Sequence, residues 1–413
     1  MRGARLSRRR VAALTADLRD RVFAPAGGSD CAPRIGAEVE LIPVVADTRA
    51  VCPIDEPGTP SSLPVLCRVA ERFGWIRDDD DCRGPRFRLP NGGIIGFEPG
   101  GQIEYSTPAC RSATTLLDHL RTVIPALEAA AADAGIELLG TGIDPHNPID
   151  RVPLRLRAER YRRMADYFAA LGPFGARMMR QTAAVQISLD FGSDPALSWR
   201  VLNAAAPYLI AIFANSPRYM GRPTGHRSIR AQVWRELDPS RTGIFPCDDA
   251  IAEYLAFALD APAMLLGNGD DWRPFAHWLA ADKVGPDDWR SHLTTLFPEV
   301  RPRGYLEVRA IDALRPCWYA APIALLAGIT YHPASRAAAA DLLGRPDPAL
   351  LRCAGQSGLA DPAVATRARD LFEIALRGCA ALGTGFLAPA DLETAAAFFG
   401  RYTRHGRAPA DGE

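Results

Sequence analysis

Lysine is almost missing from this chain of 413 residues: Lys283 is the only one among 48 lysines and arginines. It lies in ADKVGP and not in a glycine-rich loop ending Gly-Lys-Ser/Thr, which excludes a P-loop nucleotide site and disfavours Schiff-base chemistry. Any phosphate must therefore be held by arginine, backbone amides or metal. Cys-x-x-Cys spacing is also absent from the nine cysteines, and none pairs with a histidine at a zinc-like interval. The pattern reads as reduced thiols, with no local signature for Cys-His catalysis.

Net charge is absent as well, since 48 acids balance the bases, and nothing in the overall charge favours nucleic acid or an anionic membrane. The apolar runs around Tyr208 to Ala214 and Ala320 to Ile329 are too short to span a bilayer and read as buried helices. The basic start, MRGARLSRRRVAALTADLRD, is interrupted by Thr15 and Asp17 before a secretory core forms. A cytoplasmic globular protein is expected. GTGID lacks the third glycine of a dinucleotide fingerprint. Without repeats, low-complexity segments or a linker, residues 1–413 are read as one catalytic domain, mainly helical from about residue 335.

What remains is a succession of strands and helices. An amphipathic helix is expected from about Leu6 to Phe23, broken by Pro25-Ala-Gly-Gly-Ser, then a strand in RIGAEVELIPVV. A helix through Leu63 to Phe73 leads into a hairpin region, Phe87 to Ser106, with its turn at Pro99-Gly100-Gly101. Ser112 reads as the N-cap of a helix ending near Gly135, followed by a strand in IELLGTGID. A helix at Ala158 to Ala170, the alternating strand AAVQISLDF and a helix from Trp199 to Asn215 come next, and YLEVRAI interrupts a helical remainder. This predicts an α+β fold whose antiparallel sheet packs helices on its apolar face and curves a polar concave face around a cavity.

Six acids mark where chemistry is expected: Glu38 and Glu40 in RIGAEVEL, Glu98 and Glu104 in GFEPGGQIEYS, and Glu307 with Asp312 in YLEVRAIDALRP. Strand alternation sends Glu38 and Glu40 to one face and Val39 and Leu41 to the other. Neighbouring carboxylates repel, so they are either solvated or compensated, and Mg²⁺ is the natural compensator because it prefers carboxylate oxygen and brings phosphates with it. The turn between Glu98 and Glu104 can fold both toward one ion. Glu307 and Arg309 share a strand face, as a metal ligand beside a phosphate-binding guanidinium or as an ion pair. Arg227, Arg230, Arg235 and Arg241 surround Trp234 in a turn-rich stretch, where the balanced charge favours a small carboxylate or phosphate over nucleic acid.

GAEVEL, FEPGGQIEYST, RYRRMADYF, MMRQTAAVQISLDF, ANSPRYMGRPTGHRSIRAQVWRELDPSRTGIFP and YLEVRA, in this order, resemble the plant-type and actinobacterial glutamate–cysteine ligases. The resemblance covers about the first four-fifths of the chain. It implies a glutamine-synthetase-like catalytic fold, ATP and Mg²⁺. Glu38, Glu40, Glu98, Glu104 and Glu307 match the family's metal-binding carboxylates, with Gln186 as a polar ligand on a central strand. Arg309 matches the phosphate-contacting arginine, and Glu104 is also assigned to catalysis. Arg180 and Arg230 fall in segments that hold glutamate. The implied reaction joins the γ-carboxylate of L-glutamate to the amine of L-cysteine through a γ-glutamyl phosphate, giving γ-glutamylcysteine, ADP and phosphate. Another amine acceptor is the alternative, because Ser188 replaces a frequent asparagine and AIDALRP a more glycine-rich continuation.

Overall fold

The computed structural model describes residues 7–24, 33–80, 84–267 and 271–412. The first helix, α1 (Arg8–Asp17), continues as a π-helical turn, Leu18–Val22. The break expected at Pro25 to Ser29 lies outside the described residues. The strands are β1 (Ile35–Val45), β2 (Ile76–Asp80), β3 (Gly84–Arg88), β4 (Ile94–Phe97), β5 (Ile103–Ser106), β6 (Ile136–Leu139), β7 (Val185–Leu189), β8 (Arg218–Tyr219), β9 (Arg222–Pro223), β10 (Val300–Pro302) and β11 (Leu306–Val308). Between them lie α2 (Ser62–Phe73), α3 (Ala113–Ala132), α4 (Glu159–Leu171), α5 (Pro173–Gln181), α6 (Pro195–Ile212) and α7 (Ile229–Leu237). The α+β class read from the sequence is the observed one.

All pairings in the main sheet are antiparallel, in the order β10-β11-β7-β1-β5-β4-β3-β2, with β6 on the far half of β1. The long, β-branched β1 is the hub, because its first half pairs with β5 and β7 and its second with β6. On one face Val39, Leu41, Ile95, Phe97, Ile103, Tyr105, Val185, Ile187, Leu306 and Val308 enter a core shared with α3 and α6. Helix Ala320–Tyr331 is apolar all round and buried along its length, as such a helix must be. Helices run on from there to Arg401, so the helical part starts somewhat before residue 335. No helix among the described residues is long and apolar enough to cross a membrane.

Local chemistry sets the elements that carry the acids. Ser112 caps α3 by accepting from the Thr115 amide, satisfying one of the orphan N–H groups of the first turn. In the β4–β5 turn, Glu98 N–H donates to the Gln102 carbonyl at 2.8 Å and Gly101 N–H to the Glu98 carbonyl at 2.8 Å. Gln102 accepts from Gly100 N–H and donates to the Thr182 carbonyl, tying this turn to the entry of β7. Gly101 has φ +98°, and a Cβ on Gly100 would overlap the Arg180 backbone.

Gly100→Ala should therefore cost more than about 2 kcal/mol, the range of core overpacking, whereas Gly385→Ala, where a Cβ meets nothing, should stay within about 0.5 kcal/mol. Equal urea midpoints for the two variants would show that the turn is not locked against α5.

Candidate active site

The strand register collects the polar residues on the sheet face opposite the core. Directly paired residues in an antiparallel ladder share a face. Glu40 stands opposite Glu104, Glu38 opposite both Gln186 and Ser106, Glu307 opposite Ser188, and Arg301 opposite Glu307. Gly96, the β4 partner of Glu104, adds no side chain, and the stem of Arg86 from β3, which also lines the cleft, lies over it. A cleft of about 960 Å³ lies over this face, and α4, α5 and α7 contribute Met164, Met179 and Trp234 to its other wall.

Of the residues singled out from the sequence, Glu38, Glu40, Glu98, Glu104, Gln186, Arg230 and Arg309 line this cleft. Glu307 sits just behind the wall, wholly buried. Arg180 is not in the lining; its Nε reaches the Ala176 carbonyl at 3.5 Å, and its backbone abuts Gly100. A second hollow of about 1100 Å³, near Gly140 and Pro409, takes Arg227 but none of the six acids, Gln186, Arg180, Arg230 or Arg309.

One chain of hydrogen bonds runs across the central strands. Glu40 accepts from the Ala184 amide at 2.8 Å and from Gln186 Nε2 at 2.9 Å. Gln186 Oε1 accepts from Arg309 at 2.6 Å, and the same guanidinium donates to Glu307 at 2.8 Å. Gln186 thus presents its amide as a relay between an acid and a base.

The family profile described as Glutamate–cysteine ligase family 2 (GCS2) matches residues 34–411, a span that includes every strand of the sheet. The chain belongs to glutamate–cysteine ligase family 2. It is similar to glutamate–cysteine ligase EgtA of Mycolicibacterium smegmatis, with 36% identity over 78% of this chain and 78% of that one. It is also similar to a chloroplastic glutamate–cysteine ligase of Nicotiana tabacum, with 32% identity over 60% of this chain and 51% of that one. A crystal structure of a glutamate–cysteine ligase from Francisella tularensis in complex with AMP is a distant likeness, with TM-score 0.44 and 13% identity over 91% of this chain and 89% of that one. The family match reaches residue 411, further than the four-fifths of the chain over which motifs are visible. The protein is an enzyme of the ligase class.

The electrostatics of this ligase-family cleft divide it into two halves. Burial, then the charges of Glu104 and Glu307, push Glu38 up to about 8. Burial likewise pushes Glu40 up to about 7 against Arg230 and Arg309, and burial with the Glu40 charge takes Glu104 to about 7. Glu98 is raised well above its ordinary value by burial and by Glu104. Burial alone would raise Glu307 too, but Arg301, Arg309 and Arg303 together outweigh it and hold that carboxyl well below the usual range. One half is thus short of cations and the other has them in excess.

That division fits a divalent cation carrying a polyphosphate. Among the described residues no three His, Cys, Asp or Glu side chains stand close enough together to grip a metal by themselves. Magnesium does not need such a cage, since it usually takes one or two carboxylates and completes its shell with water and phosphate. The cleft-lining Arg230, Arg309 and Trp234 each keep a buried side-chain N–H without a protein partner, at Nε, Nε and Nε1.

Two contributors escaped the motif reading. Asp312 was counted among the acids but given no role; it accepts from Ser216 Oγ, Ser228 Oγ and Asn215 N–H at 2.7, 2.9 and 2.9 Å, with Arg230 at 3.8 Å. It therefore anchors the start of α7 and steadies Arg230. The signal was Ser228 as the N-cap preceding Arg230. The second contributor is a pair: Arg301 lies in a strand too short to show periodicity, and Arg303 in the turn that follows it.

The raised carboxyls make stability depend on pH. An acid whose folded-state pKa exceeds its unfolded value of 4.5 contributes stability that is complete below that value and is lost as pH rises through about 7 to 8. Without metal, thermal stability should fall from about pH 4.5 to about pH 8 and level off above that, and Mg²⁺ should raise the melting temperature more at about pH 8 than at about pH 5. A Mg²⁺ effect equal at both pH values in scanning calorimetry would contradict metal binding by these acids.

Proposed function

We propose that this chain acts as one catalytic domain, in the cytoplasm, joining the γ-carboxylate of L-glutamate to the amino group of L-cysteine at the expense of ATP. The observation that carries this reading is the pairing, on one sheet face of a glutamate–cysteine ligase family member, of cation-short carboxylates with a cation-rich arginine wall. A carboxylate is a poor electrophile, and transfer of the terminal phosphoryl group of ATP to it gives γ-glutamyl phosphate, which the amine attacks with loss of phosphate. The products are γ-glutamylcysteine, ADP and phosphate. The names of the relatives support glutamate and cysteine as substrates.

In this reading Glu38, Glu40, Glu98 and Glu104 face Mg²⁺, with Glu307 and Gln186 at the junction with the arginines. Bound Mg²⁺ neutralises and aligns the polyphosphate. Arg309, held by Gln186 and Glu307, is preorganised to meet charge that develops on the transferred phosphoryl group, so it needs little reorganisation during the reaction. Arg230 receives the carboxylate of glutamate in this reading, which its fixed position against Asp312 and the Arg309 carbonyl, bonded at 2.8 Å, supports. Arg180 has a supporting place beside the Gly100 turn.

Glu104→Gln should keep the fold and lower turnover by roughly a hundredfold, equivalent to losing one preorganised charge contact of about 3 kcal/mol. The mechanism is tested with ATP labelled by oxygen-18 in the β,γ-bridge. Label should scramble into the β-nonbridge positions when glutamate and Mg²⁺ are present and cysteine is not, and scrambling should disappear with Glu104→Gln. AMP and pyrophosphate as products would overturn phosphoryl activation. Mass spectrometry across a panel of amines checks the acceptor, and ligation to an amine other than cysteine would keep the ligase chemistry and replace that substrate.

A further inference from the structure

Arg301 and Arg303 converge on Glu307. Arg301 spans both carboxylate oxygens, with Nε 2.7 Å from Oε2 and an NH2 group 3.1 Å from Oε1. Arg303 donates to Oε1 at 2.9 Å and Arg309 to Oε2 at 2.8 Å. An ionised carboxylate offers about four acceptor positions, and these four bonds fill them. As placed, Glu307 has no lone pair left for a metal ion. Its single negative charge also leaves the three guanidiniums with a surplus of positive charge.

That surplus faces the cleft. Both Arg301 and Arg303 line it, while the carboxylate they hold lies behind them with no exposure. Three guanidiniums meet one carboxylate here, and the next acid they act on, Glu38, makes no hydrogen bond to Arg301 or Arg303, so an anion entering the cleft meets cations that are only partly compensated. Arg303 is 45% exposed along its side chain and can turn toward such an anion, whereas Arg301 is only 12% exposed and presents its fork at a fixed angle. A fork that spans two carboxylate oxygens also spans two oxygens of a phosphate.

Resting on the ligase reading above, we propose that Arg301 and Arg303 form a phosphate-binding pair for which Glu307 and the polyphosphate compete. Phosphate that draws these N–H groups away frees Glu307 oxygens for a divalent cation, so anion and metal binding are coupled through this carboxylate. Linkage makes the coupling reciprocal: whatever the nucleotide does for metal affinity, the metal does for nucleotide affinity.

The experiment measures binding, with no turnover. Calorimetry follows a non-hydrolysable ATP analogue in EDTA, and electron paramagnetic resonance follows Mn²⁺ without nucleotide, for the wild-type chain, Arg303→Gln and Arg301→Lys. Arg303 is half-exposed, so its replacement leaves packing intact. Arg301→Lys keeps the buried charge and loses only the fork. Each variant should bind the analogue in EDTA about tenfold more weakly. Arg303→Gln should also bind Mn²⁺ several-fold more tightly in the absence of nucleotide, because an oxygen of Glu307 becomes free. If wild type binds the analogue and Arg303→Gln matches it in both measurements, the competition is overturned while the ligase reading stands. Failure of the wild-type chain to bind the analogue even with Mg²⁺ would overturn both.

Discussion

Four carboxyls crowded on one sheet face, which resist being ionised together, set the constraint on which this site depends. Glu38, Glu40, Glu98 and Glu104 are brought onto one face by the pairing of β1 with β5 and by the β4–β5 turn, and burial raises all four above their ordinary range. Near neutral pH the cluster must retain protons or acquire cations. The neighbours accommodate that constraint: Gln186 and the Ala184 amide hold Glu40, and Arg301, Arg303 and Arg309 stand beyond β7 instead of on the strands that carry the acids. A direct arginine pairing would neutralise the acids and remove the reason for a metal to bind.

The same sheet places the opposite problem beside the first. Across β7, Glu307 is saturated by three guanidiniums, and the relay Glu40–Gln186–Arg309–Glu307 connects the two regimes through four side chains. A ligand with cations at one end and phosphates at the other satisfies both halves at once. Neither glutamate nor phosphate alone does so, which is the physical ground for proposing nucleotide-driven carboxylate activation and not simple carboxylate binding.

Much of the fold could be read from local pattern. The β1 strand, the Ser112 cap, the Pro99-Gly100-Gly101 turn and the alternation in Val185 to Leu189 are short-range signals that tertiary packing leaves in place. The acids were legible because charged residues at alternating strand positions are unusual. What could not be read depends on register. A three-residue strand such as Val300–Pro302 has no measurable period, so its pairing of Arg301 with Glu307 was hidden, and so was the burial that turns Glu307 from an apparent open ligand into a saturated counter-ion. Arg180 shows the converse case, since its position in a motif is suggestive but it does not line the cleft, and its backbone packs against the Gly100 turn.

The central claim is that the four glutamates are the metal-facing side of a nucleotide cleft. Anomalous diffraction at the manganese edge, from crystals grown with Mn²⁺ and a non-hydrolysable ATP analogue, addresses it most directly. The account predicts anomalous peaks within ligand distance, about 2.0–2.4 Å, of oxygens from Glu38, Glu40, Glu98 or Glu104, with analogue phosphates between those peaks and Arg309. Manganese and phosphates bound elsewhere, with these carboxylates unligated, would contradict it.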